Sequence, residues 1–154
     1  RFAPFNKEKP QLITVDAIVE QNKQVLLIRR KSAPGKGLLA LPGGFLGPNE
    51  SLRDAAVREL REETLIADGR GKIPHKRLAN YIRDDMTKVF DDPNRDLRGR
   101  CITHVHFFDL PDGPQWKVRG DDDAESAQWY NIAKLRPTEF YSDHYHILSH
   151  YFGL

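Results

Sequence analysis

The stretch LPGGFLGPNESLRDAAVRELREETLI, Leu41 to Ile66, decides how this chain is read. It passes from a segment rich in glycine and proline into a run, Ser51 to Thr64, that contains neither. Ser51 with Asp54 three residues on is a capping start, so a helix is predicted over Ser51–Thr64. At about 100° per residue from Leu52, residues Ala55, Ala56 and Leu60 fall near about 300°, 40° and 80° and define the buried side. Glu59, Glu62 and Glu63 fall near about 340°, 280° and 20°, within the same half, whereas Asp54, Arg58 and Arg61 lie opposite. A merely solvated charge run belongs opposite the apolar stripe, and these glutamates do not. Carboxylates one helical turn apart and turned inward raise one another's pKa unless a cation neutralises them. Hard oxygen donors suit Mg²⁺, with Mn²⁺ the second choice, and such ions take substrate phosphates as further ligands. The helix therefore reads as a metal platform.

Outward from this helix, LITVDAIVE and QNKQVLLIRRK form two β-rich runs with a polar break at Gln21 to Gln24, which predicts a hairpin. SAPGKGLLALPGGFLGPNE is expected to be loop, with a short strand at Leu38 to Leu41. Beyond the helix a strand is expected at Lys76 to Arg83, then a charged loop, DDPNRDLRGR, and a strand at CITHVHFFDL. A second long loop, PDGPQWKVRGDDDAESAQ, precedes a short strand at WYNI and a terminal helix from Ser142 to Tyr151. The class is α/β or α+β, with a mixed sheet and two helices.

At 154 residues the chain is the size of one domain. Residues 1–10, RFAPFNKEKP, read as a tether and residues 11–154 as the domain. The 24 basic and 22 acidic residues leave a net charge of +2, which gives no electrostatic case for nucleic acid, so a negative ligand needs a local site. The single cysteine, Cys101, excludes an internal disulfide and suits a reducing compartment, so a cytoplasmic location is expected. No apolar run approaches the roughly 20 residues of a membrane span. His104 with His106, and His146 with His150, lack carboxylate or cysteine partners nearby in sequence and are read as structural, as is Cys101.

The spacing Gly44, Glu50, Arg58-Glu59-Leu60, Glu62-Glu63, Ile66 resembles the Nudix box, G-x5-E-x7-R-E-U-x-E-E-x-G-U, where U is a bulky aliphatic residue. Leu65 stands where that pattern has glycine, at the end of the helix. The resemblance implies the Nudix fold, a mixed sheet sandwiched between α-helices, and hydrolysis of a nucleoside diphosphate linked to another group. It implies that Glu59, Glu62 and Glu63 ligate metal together with a backbone carbonyl of Gly43 or Gly44. Glu50 would support metal waters and Arg58 would orient the glutamates.

Residues Phe90 to His104, FDDPNRDLRGRCITH, together with TVDAIV, RRKSAPGKGLLALPGGF, GDDDAESAQW and DHYHIL, resemble the ADP-ribose pyrophosphatase domain of bifunctional nicotinamide-mononucleotide adenylyltransferase/ADP-ribose pyrophosphatases. That implies cleavage of ADP-ribose to AMP and ribose 5-phosphate. It also brings an N-terminal adenylyltransferase domain and a homodimer into consideration as partners. The proline that many ADP-ribose pyrophosphatases carry beyond the box is absent near Tyr81. Arg95, Arg98 and Arg100 are candidate forked donors to a diphosphate or terminal ribose. Of Arg29 and Arg30, alternate faces of the strand leave one, taken as Arg30, to reach the site. Phe45 and Phe90 are candidate stacking faces for adenine. Asp122 and Asp123 are candidates for a general base or further metal ligand from a late loop. Two alternatives stay open: another substrate such as NADH, a nucleoside triphosphate or a sugar nucleotide, and an ADP-ribose-sensing Nudix domain of a regulator without turnover.

Overall fold

The computed structural model describes residues 10–119 and 126–154. Strand β1 (Gln11–Gln21) turns through Asn22 and Lys23 into β2 (Gln24–Arg29). Both turn residues have positive φ, 54° and 61°, the geometry whose twist matches a two-residue hairpin. β3 (Leu39–Ala40) pairs with β2, and three residues later β4 (Gly43–Phe45) pairs with β1. The helix α1 (Leu52–Thr64) follows, then a small hairpin of β5 (Ala67–Asp68) and β6 (Gly71–Lys72), and a short helix α2 (His75–Ala79). The chain ends with β7 (Ile82–Phe90), β8 (Arg100–Asp109), β9 (Ala127–Asn131) and α3 (His144–Phe152).

The main sheet runs β3-β2-β1-β8-β7, with β4 on β1 and β9 on β2. β1 and β8 are parallel, from Gln11 opposite Arg100 to Glu20 opposite Asp109, and the other pairings are antiparallel. Alternation along β1 sends Val15, Ala17 and Val19 into one core with Ala56, Leu60 and Phe108, while Ile18 joins the other with Phe107, Ile147 and Leu148. The sheet is thus covered by α1 and α2 on one face and α3 on the other. Among the described residues no helix is long and apolar enough to cross a membrane.

Two sequence expectations need correction. Lys76 to Arg83 is not one strand: His75–Ala79 is helical and the strand begins at Ile82. Leu78 is the one residue of that helix that is buried, so a single apolar side chain anchors it and no helical period is visible. Gly43 to Phe45, read as loop, is a strand that makes its ladder through backbone alone.

The helix start and stop are both specified locally. Ser51 Oγ accepts from the Asp54 N–H at 3.1 Å. Leu65 caps the other end in the left-handed region, φ 51°, with its N–H donating to Arg61 O. This is the position where the box pattern has glycine, and an L side chain there costs roughly 1–2 kcal/mol. Leu65→Gly is expected to raise stability by about 0.5–1 kcal/mol, part of the strain relief being offset by unfolded-state entropy and lost packing. Leu65→Val, nearly as apolar but β-branched, should lower it by about 1–2 kcal/mol. Thermal unfolding of the two variants checks this, and equal midpoints would show that the cap carries no strain.

Candidate active site

The site forms where β1 changes partner. β1 pairs with β2 only at Glu20 and Gln21, and with β4 at Thr14 to Asp16. Between these, Leu41 and Pro42 carry the chain from the edge of β2 to the edge of β1, and Ala17 N–H donates to Pro42 O at 2.8 Å. The crossing is pinned from α3, where His144 Nδ1 accepts from the Leu41 N–H at 2.9 Å. His144 is buried, which pushes its pKa down, and the accepted hydrogen bond places its proton on Nε2.

α1 lies against β4 with no room to spare. A Cβ on Gly44 would sit 2.6 Å from Glu59 Oε1, and one on Gly43 would sit 2.2 Å from Val15 O and 2.3 Å from Asp16 Oδ1. Both positions therefore demand glycine for close approach. Glu63 Oε1 accepts from the Gly43 N–H at 2.6 Å. Arg58 gathers the other carboxylates. Its Nη2 and Nε donate to Glu50 at 2.6 and 2.9 Å, its Nη1 donates to Glu59 at 2.8 Å and Glu62 at 3.3 Å, and Nη2 also reaches Phe45 O at 3.2 Å.

The electrostatics divide the carboxylates. The Arg58 fork, helped by the Gly47 N–H, holds Glu50 at about 2. Burial raises Glu59 against the pull of Arg58. Burial also pushes Glu63 up to about 8, with Glu59 and Asp16 adding like charge and the Gly43 hydrogen bond opposing. Glu59 and Glu63 turn inward beside β4, whereas the Glu62 side chain, expected to share their face, is 61% exposed. As they stand, with Arg58 and Gly43 N–H engaging the carboxylates, no three acidic, imidazole or thiol groups among the described residues converge to enclose a cation. The donor set nonetheless fits a hard divalent ion: it is oxygen only, and Glu63 is a half-buried carboxylate whose hydrogen bond comes from the Gly43 N–H and not from an arginine.

A cleft of about 350 Å³ opens beside Glu62 and Glu63, walled by Ile28, Arg30 and Ser126, and a smaller inner cleft of about 70 Å³ that shares Ile28, Arg30 and Glu63 with it is lined by Gly43, Gly44, Arg98 and Tyr141. Arg30 stacks 4.0 Å over the Tyr141 ring and donates from Nε to Pro34 O at 2.8 Å. Arg98 is forked onto Asp96 at 3.0 and 2.8 Å and lies 5.1 Å over the ring of Phe45, a residue that is 47% exposed. Burial alone would raise Asp96, but its hydrogen bonds from Arg98 bring it down to about 2.

The other predicted residues are placed differently. Arg95 is buried and forked onto Asp143 at 3.0 and 2.9 Å, and it also donates to Cys101 O, so it ties the charged loop to α3 while one face borders the inner cleft. Arg100 donates to Asp91 O and closes that loop. Phe90 lies edge-on to His150 in a separate groove with His146. Asp122 and Asp123 lie outside the described residues. Cys101 is buried. Sequence reasoning missed Asp16, Thr103, Tyr141 and His144; the one available signal was Asp16, a charge inside the otherwise apolar run TVDAIV.

Residues 10–151 match the NUDIX domain family. The chain belongs to the Nudix family. This Nudix domain is 35% identical over 139 residues to the ADP-ribose pyrophosphatase of Methanocaldococcus jannaschii, covering 90% of this chain and 72% of that one. It is 28% identical over 148 residues to an ADPR-responsive transcriptional repressor of Acinetobacter baylyi, covering 92% of this chain and 53% of that one. A bifunctional NMN adenylyltransferase/ADP ribose pyrophosphatase from Francisella tularensis, complexed with AMP and Mn ion, superposes with a TM-score of 0.83 at 38% identity over 95% of this chain. The Nudix chain spans 42% of that protein's length.

Proposed function

We propose that this Nudix domain hydrolyses ADP-ribose to AMP and ribose 5-phosphate with Mg²⁺, Mn²⁺ serving in its place. The observation that carries the reading is the juxtaposition of the α1 carboxylates with a cleft that holds two prepositioned guanidiniums, Arg30 and Arg98. The identity to a named ADP-ribose pyrophosphatase supports the substrate.

In this reading Glu59, Glu62, Glu63 and a carbonyl of Gly43 or Gly44 hold the cation, which when bound neutralises diphosphate charge and lowers the pKa of water. Arg58 holds Glu50, Glu59 and Glu62 in place through its hydrogen bonds, so their ordering is not a cost of the reaction step. Arg30 and Arg98 already have fixed partners on one side and offer their remaining N–H groups to diphosphate oxygens. Phe45, backed by Arg98, offers its exposed face to adenine. A water is deprotonated by a carboxylate of the site, Asp122 and Asp123 included among the candidates, and attacks one phosphorus. The bridging P–O bond breaks, the bridging oxygen departs with the other phosphate, and water supplies the new oxygen and the proton.

The second reading, an ADP-ribose-sensing domain without turnover, is favoured by the identity to the Acinetobacter repressor. The complete set of box carboxylates favours the enzyme. Incubation with Mg²⁺ and ADP-ribose, NADH, a nucleoside triphosphate and a sugar nucleotide separates these. AMP release fastest from ADP-ribose is expected. ADP-ribose binding without AMP release would establish the sensor, and faster consumption of another compound would overturn the substrate assignment.

A further inference from the structure

Asp16 is a carboxylate in the middle of a buried strand, outside the box, and the fold gives it one partner where a carboxylate has room for several. It is 7% exposed, and Oδ2 accepts from Thr103 Oγ1 at 2.5 Å across the β1–β8 pairing. Among the described residues Oδ1 has no hydrogen-bond donor. That oxygen presses against Gly43, since a Cβ there would fall 2.3 Å from it. Asp16 borders the same inner cleft as Gly43, Gly44 and Glu63. The nearby guanidiniums make their hydrogen bonds to other groups and reach these carboxylates only through space, Arg95 attracting Asp16 and Arg30 attracting Glu63: Arg95 is forked onto Asp143, Arg30 donates to Pro34 O over Tyr141, and Arg58 serves Glu50, Glu59 and Glu62. His144, whose Nδ1 accepts from Leu41, is held neutral by burial. Asp16, buried, and Glu63, half-buried, thus both approach Gly43, and among the described residues neither is hydrogen-bonded to a guanidinium. Leaving such charges uncompensated is costly, and a divalent cation compensates both at once.

We propose that Asp16, from β1, is the deep carboxylate of the divalent-cation site, its free Oδ1 turned to the cation or to a water on it while Thr103 fixes the other oxygen. The inference rests on the metal-dependent reading given above. It assigns the site a donor from the sheet opposite the α1 glutamates, so that the Gly43–Gly44 strand is clasped from both sides. Thr103 is then a positioning residue that holds the Asp16 rotamer.

The test is Mn²⁺ binding by titration calorimetry in the absence of nucleotide. Asp16→Asn, isosteric and still able to accept from Thr103, is expected to bind Mn²⁺ about tenfold more weakly than wild type while retaining cooperative unfolding. Affinity within twofold of wild type would overturn the proposal. Thr103→Val is the second variant: it keeps the carboxylate but removes the hydroxyl that fixes its rotamer, so Mn²⁺ should raise its melting temperature by less than it raises that of wild type. An equal rise overturns the proposal, and this comparison decides alone if Asp16→Asn does not fold. Failure of the wild-type protein to bind Mn²⁺ sinks the metal-dependent reading itself, whereas normal wild-type binding with an unaffected Asp16→Asn sinks the role of Asp16 only.

Discussion

Glu63→Gln is expected to lower kcat for ADP-ribose hydrolysis by about 10³-fold or more, while leaving the protein folded and, without metal, more stable than wild type. Glu63 is the most deeply buried glutamate of the α1 cluster, and among the described residues its one hydrogen-bond partner is the Gly43 N–H at 2.6 Å. Glutamine keeps that acceptor, so the β4–α1 contact survives. What it removes is the negative charge, and with it the electrostatic reason for a cation to enter beside Gly43. A loss of about 10³ corresponds to roughly 4 kcal/mol of transition-state stabilisation, the size assigned to a charge-stabilising group in a dry site. Glu62→Gln is the comparison for stability: Glu62 is also in the proposed cation set, so kcat should fall, but it is largely exposed and shares Arg58 with two other carboxylates, so metal-free stability should not rise. Paired measurements of kcat and of thermal unfolding in chelator decide the matter. If Glu63→Gln retained more than a tenth of wild-type activity, the cation would have to be held without it.

The helix and its charges were legible because their information is local. A capping serine, an uninterrupted run of helix formers and an angular count on Leu52 to Glu63 locate α1 and turn two of the three glutamates correctly. Glu62 was misplaced because a wheel separates sides of a helix but not depths. At its angle α1 reaches the open cleft, whereas Glu59 and Glu63 lie beside β4. β4 itself was invisible as a strand: two of its three residues are glycines, chosen for closeness to Asp16 and Glu59 and carrying no side-chain pattern to read. The β1–β2 hairpin had the opposite character, with alternating apolar residues and a polar two-residue turn.

The arginines show a different limit. Arg95, Arg98 and Arg100 were indistinguishable as a basic loop, since charge and forked geometry serve a phosphate and a neighbouring carboxylate equally well. Tertiary partners separate them. Asp143, 48 residues away, takes both prongs of Arg95, whereas Arg98 is held by Asp96 two residues away and so remains at the mouth of the cleft over Phe45. Asp16 and Thr103 meet only through the parallel β1–β8 register, a long-range pairing that no window of sequence contains.

The metal-free protein is expected to lose stability as pH rises from about 5 to 8, and a divalent cation should reverse that slope. The sign follows from Glu63, whose pKa burial raises to about 8 in the fold from an ordinary carboxylate value of 4.5 when unfolded. Between these values the folded state holds a proton that the unfolded state has released, so unfolding becomes progressively easier with rising pH. The shift is shared with neighbouring carboxylates, so the effect is of order 2–4 kcal/mol, or a fall in melting temperature of roughly 5–15 °C for a domain of this size. Glu50, held at about 2 by Arg58, stays ionised throughout and contributes no slope in this window. A cation must displace the Glu63 proton, so its affinity should rise up to about tenfold per pH unit until pH 8, adding the most stability where the metal-free protein is weakest. Melting temperatures from pH 5.5 to 8.5, with chelator and with Mn²⁺, measure both slopes. In Glu63→Gln the chelator curve should flatten; a wild-type slope persisting in that variant would assign the buried proton to another group.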